Sequence, residues 1–164
     1  MVVEVYAAFE GVTREGGVSW SQAYAIDMNA DAAEYEKAGR EDRDSSWTEV
    51  LQNEAWAPGG LSGGFIFLDA IGFRYYLPAA MIRELNEVES TSIERRLNLP
   101  PKGAKGRKFC IEKWQMLSDR QRRCVAKFIQ FAIERELAAD QANTDLLTEF
   151  ELAWENYWSE FAAE

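Results

Sequence analysis

The sequence predicts a mainly α-helical protein, folded as a single domain over residues 1–164. Three observations predict this class. Apolar residues recur at helical spacing around residues 73–85, a Ser-x-x-Gln capping box opens a second such pattern at Ser118, and aromatic residues repeat at helical spacing near the C-terminus. A chain of 164 residues with 47% hydrophobic residues is long enough to bury roughly two-thirds of its unfolded surface.

Four short helices are predicted before residue 60, because each segment has an apolar face or a residue suited to capping. They are marked by residues 3–12, Ser19 or Ser21, Asp31 with Glu34, and Ser45 or Ser46. The Pro and Gly residues of 56–64 predict a loop. The apolar run at residues 65–68 fits either a minimal β element or the approach to a helix, and its periodicity does not decide between them.

The densest apolar segment predicts a central helix over residues 70–87, with Asp69 as its N-cap. The helical pattern runs straight through Pro78. Because proline lacks the N–H that would bond the carbonyl of Arg74, we expect a kink there. The alternative is a short element that ends at Leu77, followed by a new helix that begins at Pro78.

The C-terminal third predicts an irregular connection followed by a helix pair. The Pro and Gly residues of 100–106 argue against regular structure, so the basic residues of 102–108 are expected in a mobile loop or as an anchor for an acidic partner or a phosphate. A long helix then carries Phe128, and a last helix from Asn143 or Thr144 carries Trp154. The short polar link makes these two helices antiparallel. Truncating either aromatic residue to alanine is expected to cost about 3–5 kcal/mol.

The composition argues against several classes of function. The net charge of −10 opposes binding to nucleic acid or to anionic lipid. The absence of histidine removes the commonest general base and metal ligand. No apolar run approaches the roughly 20 residues of a membrane span, and the N-terminus lacks a signal-peptide pattern, so a cytoplasmic location is expected. Cys110 and Cys124 are expected to be reduced structural thiols.

The order of the segments resembles that of a known family of small bacterial proteins that carry a domain of unknown function. The resemblance spans roughly residues 20–158 and rests on "AIDMNAD", "FIFLDAIGFRYYLPAAM", "MLSDRQRRCVAKFIQF" and "ENYW". It implies a shared fold, and it identifies no catalytic residue and no cofactor.

Two groups of polar residues are candidate sites. Arg74, Tyr75 and Tyr76 could grip an anion or a partner's carboxylate, since arginine offers a planar fork of donors. Alternatively, Arg74 pairs with an internal carboxylate while the tyrosines pack in the core with their hydroxyls bonded. The second group would form if one unbroken helix placed a carboxylate triad on one face, where it could hold Mg²⁺. That triad consists of Asp27, Asp31 and Glu34.

Three hypotheses for function follow. The first is a non-catalytic, protein-binding domain, in its sharpest form an immunity-type protein that masks a basic partner. The alternative is a carboxylate- and Mg²⁺-dependent hydrolase of a phosphate ester or nucleotide. The third is a homodimer formed through the C-terminal aromatic stripe of Trp154, Tyr157, Trp158 and Phe161, if that stripe is exposed.

Overall fold

The computed structural model describes residues 1–59, 64–86 and 91–162. Within these ranges the regular elements are helices and no strand is present, so the prediction of a mainly α fold is confirmed. None of the helices in the described ranges is long and apolar enough to cross a bilayer. The helices are α1 Val2–Ala8, α2 Trp20–Asp27, α3 Ala32–Glu41, α4 Trp47–Gln52, α5 Ala70–Leu85, α6 Ile93–Leu97, α7 Lys105–Gln115, α8 Asp119–Ala138 and α9 Thr144–Asn156.

The chain divides into two compact units. The middle unit comprises residues 11–91, and the terminal unit comprises residues 1–10 together with 92–164. Each unit buries its own large aromatic side chains, among them Tyr75 in the middle unit and Trp158 in the terminal unit. One domain over residues 1–164 stays a prediction.

Capping boxes begin three of the helices, and the sequence spacing predicted two of them, those of α3 and α8. In each box the N-cap side chain accepts a hydrogen bond from the backbone three residues on, and the side chain there accepts one from the N-cap backbone. The three pairs are Ser19 with Gln22, Asp31 with Glu34, and Ser118 with Gln121. These local bonds fix where α2, α3 and α8 begin, and α2 carries the residue that matters most below, Trp20.

Helix α5 is continuous through Pro78, so the alternative of two separate elements is wrong. Asp69 is its N-cap, and Asp69 Oδ1 accepts hydrogen bonds from the backbone N–H groups of Gly72 (2.8 Å) and Val18 (3.1 Å). A Cβ atom at Gly72 would lie 2.4 Å from the carbonyl oxygen of Val18, so only glycine allows this close approach. Asp69 therefore both starts α5 and holds the chain segment that leads into α2.

The apolar run at residues 65–68 is not a strand. Gly64–Ile66 forms a single 3₁₀ turn, and Phe65 and Leu68 are buried. Gly64 has a φ of +69°, which turns the chain just before the run. The run therefore forms the approach to α5, which Asp69 caps.

The basic segment is helical for most of its length, contrary to the prediction of a loop over residues 102–108. Gly103, with a φ of +88°, turns the chain, and α7 then begins at Lys105. Gly106 lies in the first turn of α7, and its cost of about 1 kcal/mol relative to alanine is tolerated. The helix continues through Phe109 to Gln115 and buries Trp114, which explains why helical structure wins over the irregular connection.

The core of the terminal unit forms where α8 packs against α9, and this pair was predicted from the sequence. Phe128 and Phe150 meet edge to face at 5.8 Å between ring centroids. Trp158, in a 3₁₀ turn after α9, donates a hydrogen bond from its indole Nε1 to the carbonyl of Leu97 at 2.8 Å. The ring centroids of Trp114 and Trp158 lie 5.0 Å apart. Among the aromatic residues near the C-terminus, Phe150 and Trp158 therefore belong to the core.

The cysteines are free thiols, as predicted. Cys124 is buried, and burial raises the pKa of its thiol to about 12. The thiol therefore stays protonated and unreactive at neutral pH.

The structure predicts different stability costs for two substitutions for which the sequence alone predicts the same cost. Phe128 is fully buried against Phe150, so Phe128→Ala is expected to lower the free energy of unfolding by about 3–5 kcal/mol. Trp154 is only half-buried, so Trp154→Ala should cost clearly less. Urea denaturation of both variants tests this, and a larger loss for Trp154→Ala would show that the assigned core is wrong.

Candidate functional site

The candidate site is an acidic cleft in the middle unit, a cavity of about 530 Å³. We use the name acidic cleft for this cavity. Carboxylates from the end of α3, the following segment and α4 line it, together with the cation of Arg43. They are Glu41, Asp42, Asp44 and Glu49.

Three aromatic rings pack together along the inner side of the acidic cleft. The Trp20 ring meets the rings of Trp56 and Tyr76 edge-on, each at 5.1 Å between centroids. The Trp56 and Tyr76 rings are nearly parallel at 6.0 Å. Trp56 and Tyr76 are buried, with 5% and 1% of their surface exposed, whereas Trp20 is only half-buried. Trp20 is therefore the ring that offers aromatic surface to the cleft.

Asp42 is held by the start of α2. Its Oδ2 accepts a hydrogen bond from the backbone N–H of Ser21 at 2.7 Å, and its Oδ1 accepts one from the Ser21 hydroxyl at 2.9 Å. A carboxylate has about four acceptor positions, so Asp42 keeps capacity for further donors. Because the side chain is already bonded, it presents its charge in one orientation.

Asp44 is held by two residues from outside its own segment. Its Oδ2 accepts a hydrogen bond from the hydroxyl of Tyr75 at 2.7 Å and pairs with Arg14 Nη2 at 3.4 Å. The Arg14 guanidinium also donates to the carbonyl of Asp42 at 3.1 Å. It lies 5.5 Å from the centroid of the Tyr75 ring and 5.9 Å from that of Tyr76. The segment of residues 42–44 is thus fixed against α5 by hydrogen bonds, an ion pair and cation–π contacts.

Tyr75 and Tyr76 of α5 hold residues that line the cleft. The Tyr76 hydroxyl accepts a hydrogen bond from the backbone N–H of Trp20 at 3.0 Å, which fixes the position of Trp20. Burial, the hydrogen bond to Asp44 and the charge of that carboxylate raise the pKa of Tyr75 far above its usual value. Burial likewise raises the pKa of Tyr76. Both hydroxyls therefore stay protonated wherever the fold persists.

Arg83 holds the other wall of the cleft. Its guanidinium donates hydrogen bonds to the carbonyl oxygens of Trp56 and Asn53, the latter at 2.6 Å. It also lies 5.0 Å from the centroid of the Trp56 ring. Arg83 is 5% exposed, so a buried guanidinium on α5 fixes a segment that has no regular secondary structure.

Glu49 is an exposed carboxylate of the cleft that is bonded within its own segment. Its two oxygens accept hydrogen bonds from Ser45, one from the hydroxyl at 2.6 Å and one from the backbone N–H at 2.9 Å. The hydroxyl bond and then the backbone bond lower the pKa of Glu49, so its carboxylate stays charged at more acidic pH.

The structure places the three predicted binding residues in different roles. Tyr76 lines the cleft, Tyr75 supports Asp44, and both hydroxyls are hydrogen-bonded within the middle unit. The buried Nε of Arg74 has no hydrogen-bond partner in the described part of the chain. The carboxylates that line the cleft disfavour an anion beside Tyr76. Binding by Arg74, Tyr75 and Tyr76 themselves stays a prediction.

The structure does not bring together Asp27, Asp31 and Glu34. Asp27 is the last residue of α2. Asn29, with a φ of +53°, turns the backbone out of the helical path before α3 begins. Asp31 and Glu34 are engaged in the capping box of α3. Residues 1–59, 64–86 and 91–162 contain no group of three or more Asp, Glu, Cys or His side chains that could hold a metal ion.

Sequence reasoning did not find the residues that build the cleft. Arg14, Trp20, Asp42 and Asp44 come together through contacts that span roughly twenty to sixty residues of chain. The sole local signal was the Ser19 cap, which places Trp20 at the first position of α2.

Comparison with known proteins gives a family and no activity. A family model described as "Family of unknown function (DUF6714)" matches residues 1–162, nearly the whole chain. The resemblance to a family of unknown function is thereby confirmed. No curated protein and no solved structure matches the chain.

Removing the Tyr75 hydroxyl tests the support of Asp44. Tyr75→Phe is expected to lower the free energy of unfolding at neutral pH by about 1.5–3 kcal/mol, because a hydrogen bond to a carboxylate is lost. Above pH of about 10 the unfolded chain releases a tyrosine proton that the fold retains, so each such tyrosine lowers stability by up to about 1.4 kcal/mol per pH unit. The variant should therefore lose stability less steeply than the parent as pH rises.

Tyr24→Phe, at an exposed position, is the matched control and should stay within about 0.5 kcal/mol of the parent. Urea denaturation between neutral and alkaline pH measures both variants. Identical pH dependence of Tyr75→Phe and the parent would contradict the assignment.

Replacing Arg83 tests whether its guanidinium fixes the segment of Asn53 and Trp56 that lines the cleft. In Arg83→Lys a single ammonium replaces the planar fork, so the two carbonyls of Asn53 and Trp56 are not both bonded with good geometry. We expect the free energy of unfolding to fall by about 1.5–3 kcal/mol and the amides of residues 53–59 to exchange faster with solvent. Hydrogen-exchange mass spectrometry measures this, and unchanged exchange over residues 53–59 would contradict it.

Proposed function

The chain belongs to the family of unknown function DUF6714, and we propose that it is a non-catalytic binding domain whose acidic cleft receives a basic side chain of a protein partner. The observation that carries the proposal is the fixed pair of carboxylates at Asp42 and Asp44 beside the half-buried ring of Trp20. Carboxylates beside an aromatic face suit a cation that also has an apolar stem.

Preorganisation supports binding at this site. The Asp42 and Asp44 side chains are held by Ser21, Tyr75 and Arg14 before any partner arrives, so little side-chain freedom is left to lose. Glu41 and Glu49 are exposed and add charge at the rim. Such a rim steers a basic partner toward the cleft and weakens with salt.

The net charge of −10 supports a basic protein partner in preference to a nucleic acid or an anionic membrane surface. An immunity-type protein that masks a basic toxin is the sharpest form of the proposal, and a cytoplasmic location in a bacterium suits that role. The half-buried residues Trp154, Tyr157 and Phe161 keep a homodimer as a separate prediction.

The alternative of a Mg²⁺-dependent hydrolase lacks a supporting site in the described residues. The predicted carboxylates are separated by the break at Asn29, and the cleft carboxylates are not grouped closely enough to hold a metal ion. The spread of charge around the cleft fits an extended organic cation better than a compact metal ion.

A peptide-binding experiment tests the proposed function. The probe is a fluorescein-labelled peptide with equal numbers of Lys and Arg, and its counterpart has Glu at those positions. We expect the basic peptide to bind, the acidic one not to bind, and affinity to fall as salt is added. Glu41→Gln should weaken binding by about two- to fivefold at low ionic strength, because one rim charge is lost.

Glu151→Gln is the matched control, since Glu151 is an exposed carboxylate on α9 outside the cleft. It makes the same change in net charge and should leave affinity unchanged. Fluorescence polarisation measures each affinity. Equal losses in the two variants would show that overall charge, and not the cleft, attracts the peptide.

A further inference from the structure

We infer that the basic side chain received by the acidic cleft is arginine, with its guanidinium against the ring of Trp20. This inference rests on the function proposed above and names the chemistry of the partner. It is argued from the cation–π contacts that the other two rings of the cluster, Trp56 and Tyr76, already make.

Two rings of the cluster already carry an arginine from the chain itself. The guanidinium of Arg83 lies 5.0 Å from the centroid of the Trp56 ring, and that of Arg14 lies 5.9 Å from the centroid of the Tyr76 ring. Trp20 contacts the rings of Trp56, Phe65 and Tyr76, and no cation of the described residues lies over it. The third ring thus lacks the kind of contact that the first two make.

The surroundings of Trp20 match a guanidinium. Trp20 is half-buried and lines the cleft together with Asp42 and Asp44. A guanidinium can stack its plane on an indole while its N–H groups point outward to carboxylates. An ammonium is compact and more strongly hydrated, so it gains less from the ring and makes no planar fork.

Arg14 shows the same combination of contacts within the protein. It lies over two aromatic rings, pairs with the carboxylate of Asp44 and donates to the carbonyl of Asp42. Aromatic faces, a carboxylate and a backbone carbonyl thus already hold one guanidinium beside the cleft. An incoming arginine would meet a ring and carboxylates of the same kinds at Trp20.

An independent observation points to a peptide as the carrier of that arginine. Trp56 lines the cleft and is 5% exposed, yet its indole Nε1–H has no acceptor in the described part of the chain. A buried donor without an acceptor is uncommon in folded proteins. A guanidinium offers only donors, whereas a peptide that carries it also offers carbonyl oxygens.

The test compares three labelled peptides that differ only at their basic positions, which hold arginine, lysine or citrulline. Citrulline has nearly the shape of arginine and no charge. We expect the arginine peptide to bind about five- to tenfold more tightly than the lysine peptide, and the citrulline peptide not to bind. In Trp20→Leu the preference for arginine should fall below about twofold.

Because leucine leaves a gap among the packed rings, Trp20→Phe serves as a gentler second variant. It keeps a ring of weaker cation attraction, so its preference should lie between those of the parent and Trp20→Leu. Trp154→Phe, the same change outside the cleft, should keep the full preference. Thermal melting confirms that each variant is folded.

Each other outcome overturns the inference. Equal affinity for the arginine and lysine peptides removes the role of the guanidinium, and an arginine preference that persists in Trp20→Leu removes the role of the Trp20 ring. Either result leaves the proposed function standing. Binding of the citrulline peptide as tightly as the arginine peptide would show that the positive charge contributes nothing, and would overturn both the inference and the proposed function. If neither charged peptide binds, both the inference and the proposed function are wrong.

Discussion

The hydrogen bond from the buried hydroxyl of Tyr75 to the carboxylate of Asp44 is the constraint on which the acidic cleft depends. Helix α5 is continuous and mostly buried, so its side chains are fixed reference points in the middle unit. Tyr75 holds the acidic segment after α3, and its neighbour Tyr76 holds the backbone at the start of α2. Two adjacent residues thereby set the position of a carboxylate relative to the ring of Trp20.

Arginine is the recurring means of joining loops to this framework. Arg14 ties the segment before α2 to Asp44, and Arg83 ties the segment after α4 to α5. In both places a planar guanidinium satisfies backbone carbonyls that have no partner in regular secondary structure while it packs on aromatic rings. The cleft is therefore built by the type of contact that we propose it also uses for a partner.

The sequence predicts what is local in this fold and misses what is not. Capping-box spacing located the starts of α3 and α8, because those bonds join residues three positions apart, and the start of α2 was narrowed to Ser19 or Ser21. Helical periodicity located α5 despite Pro78. The start of α7 at Lys105 was missed, because glycine and proline signals outweighed the burial of Trp114, which only tertiary packing supplies. The cleft was missed because its carboxylates and rings meet through distant contacts, although Tyr76 was singled out.

Nuclear magnetic resonance of the six tryptophan indoles, labelled with ¹⁵N, tests the central claim most directly. Addition of the arginine peptide should shift the indole signals of Trp20 and Trp56, which line the cleft, and leave those of Trp114, Trp154 and Trp158 unchanged. Shifts confined to the tryptophans of the terminal unit, or no shift at saturating peptide, would contradict the claim that this cleft binds a cation.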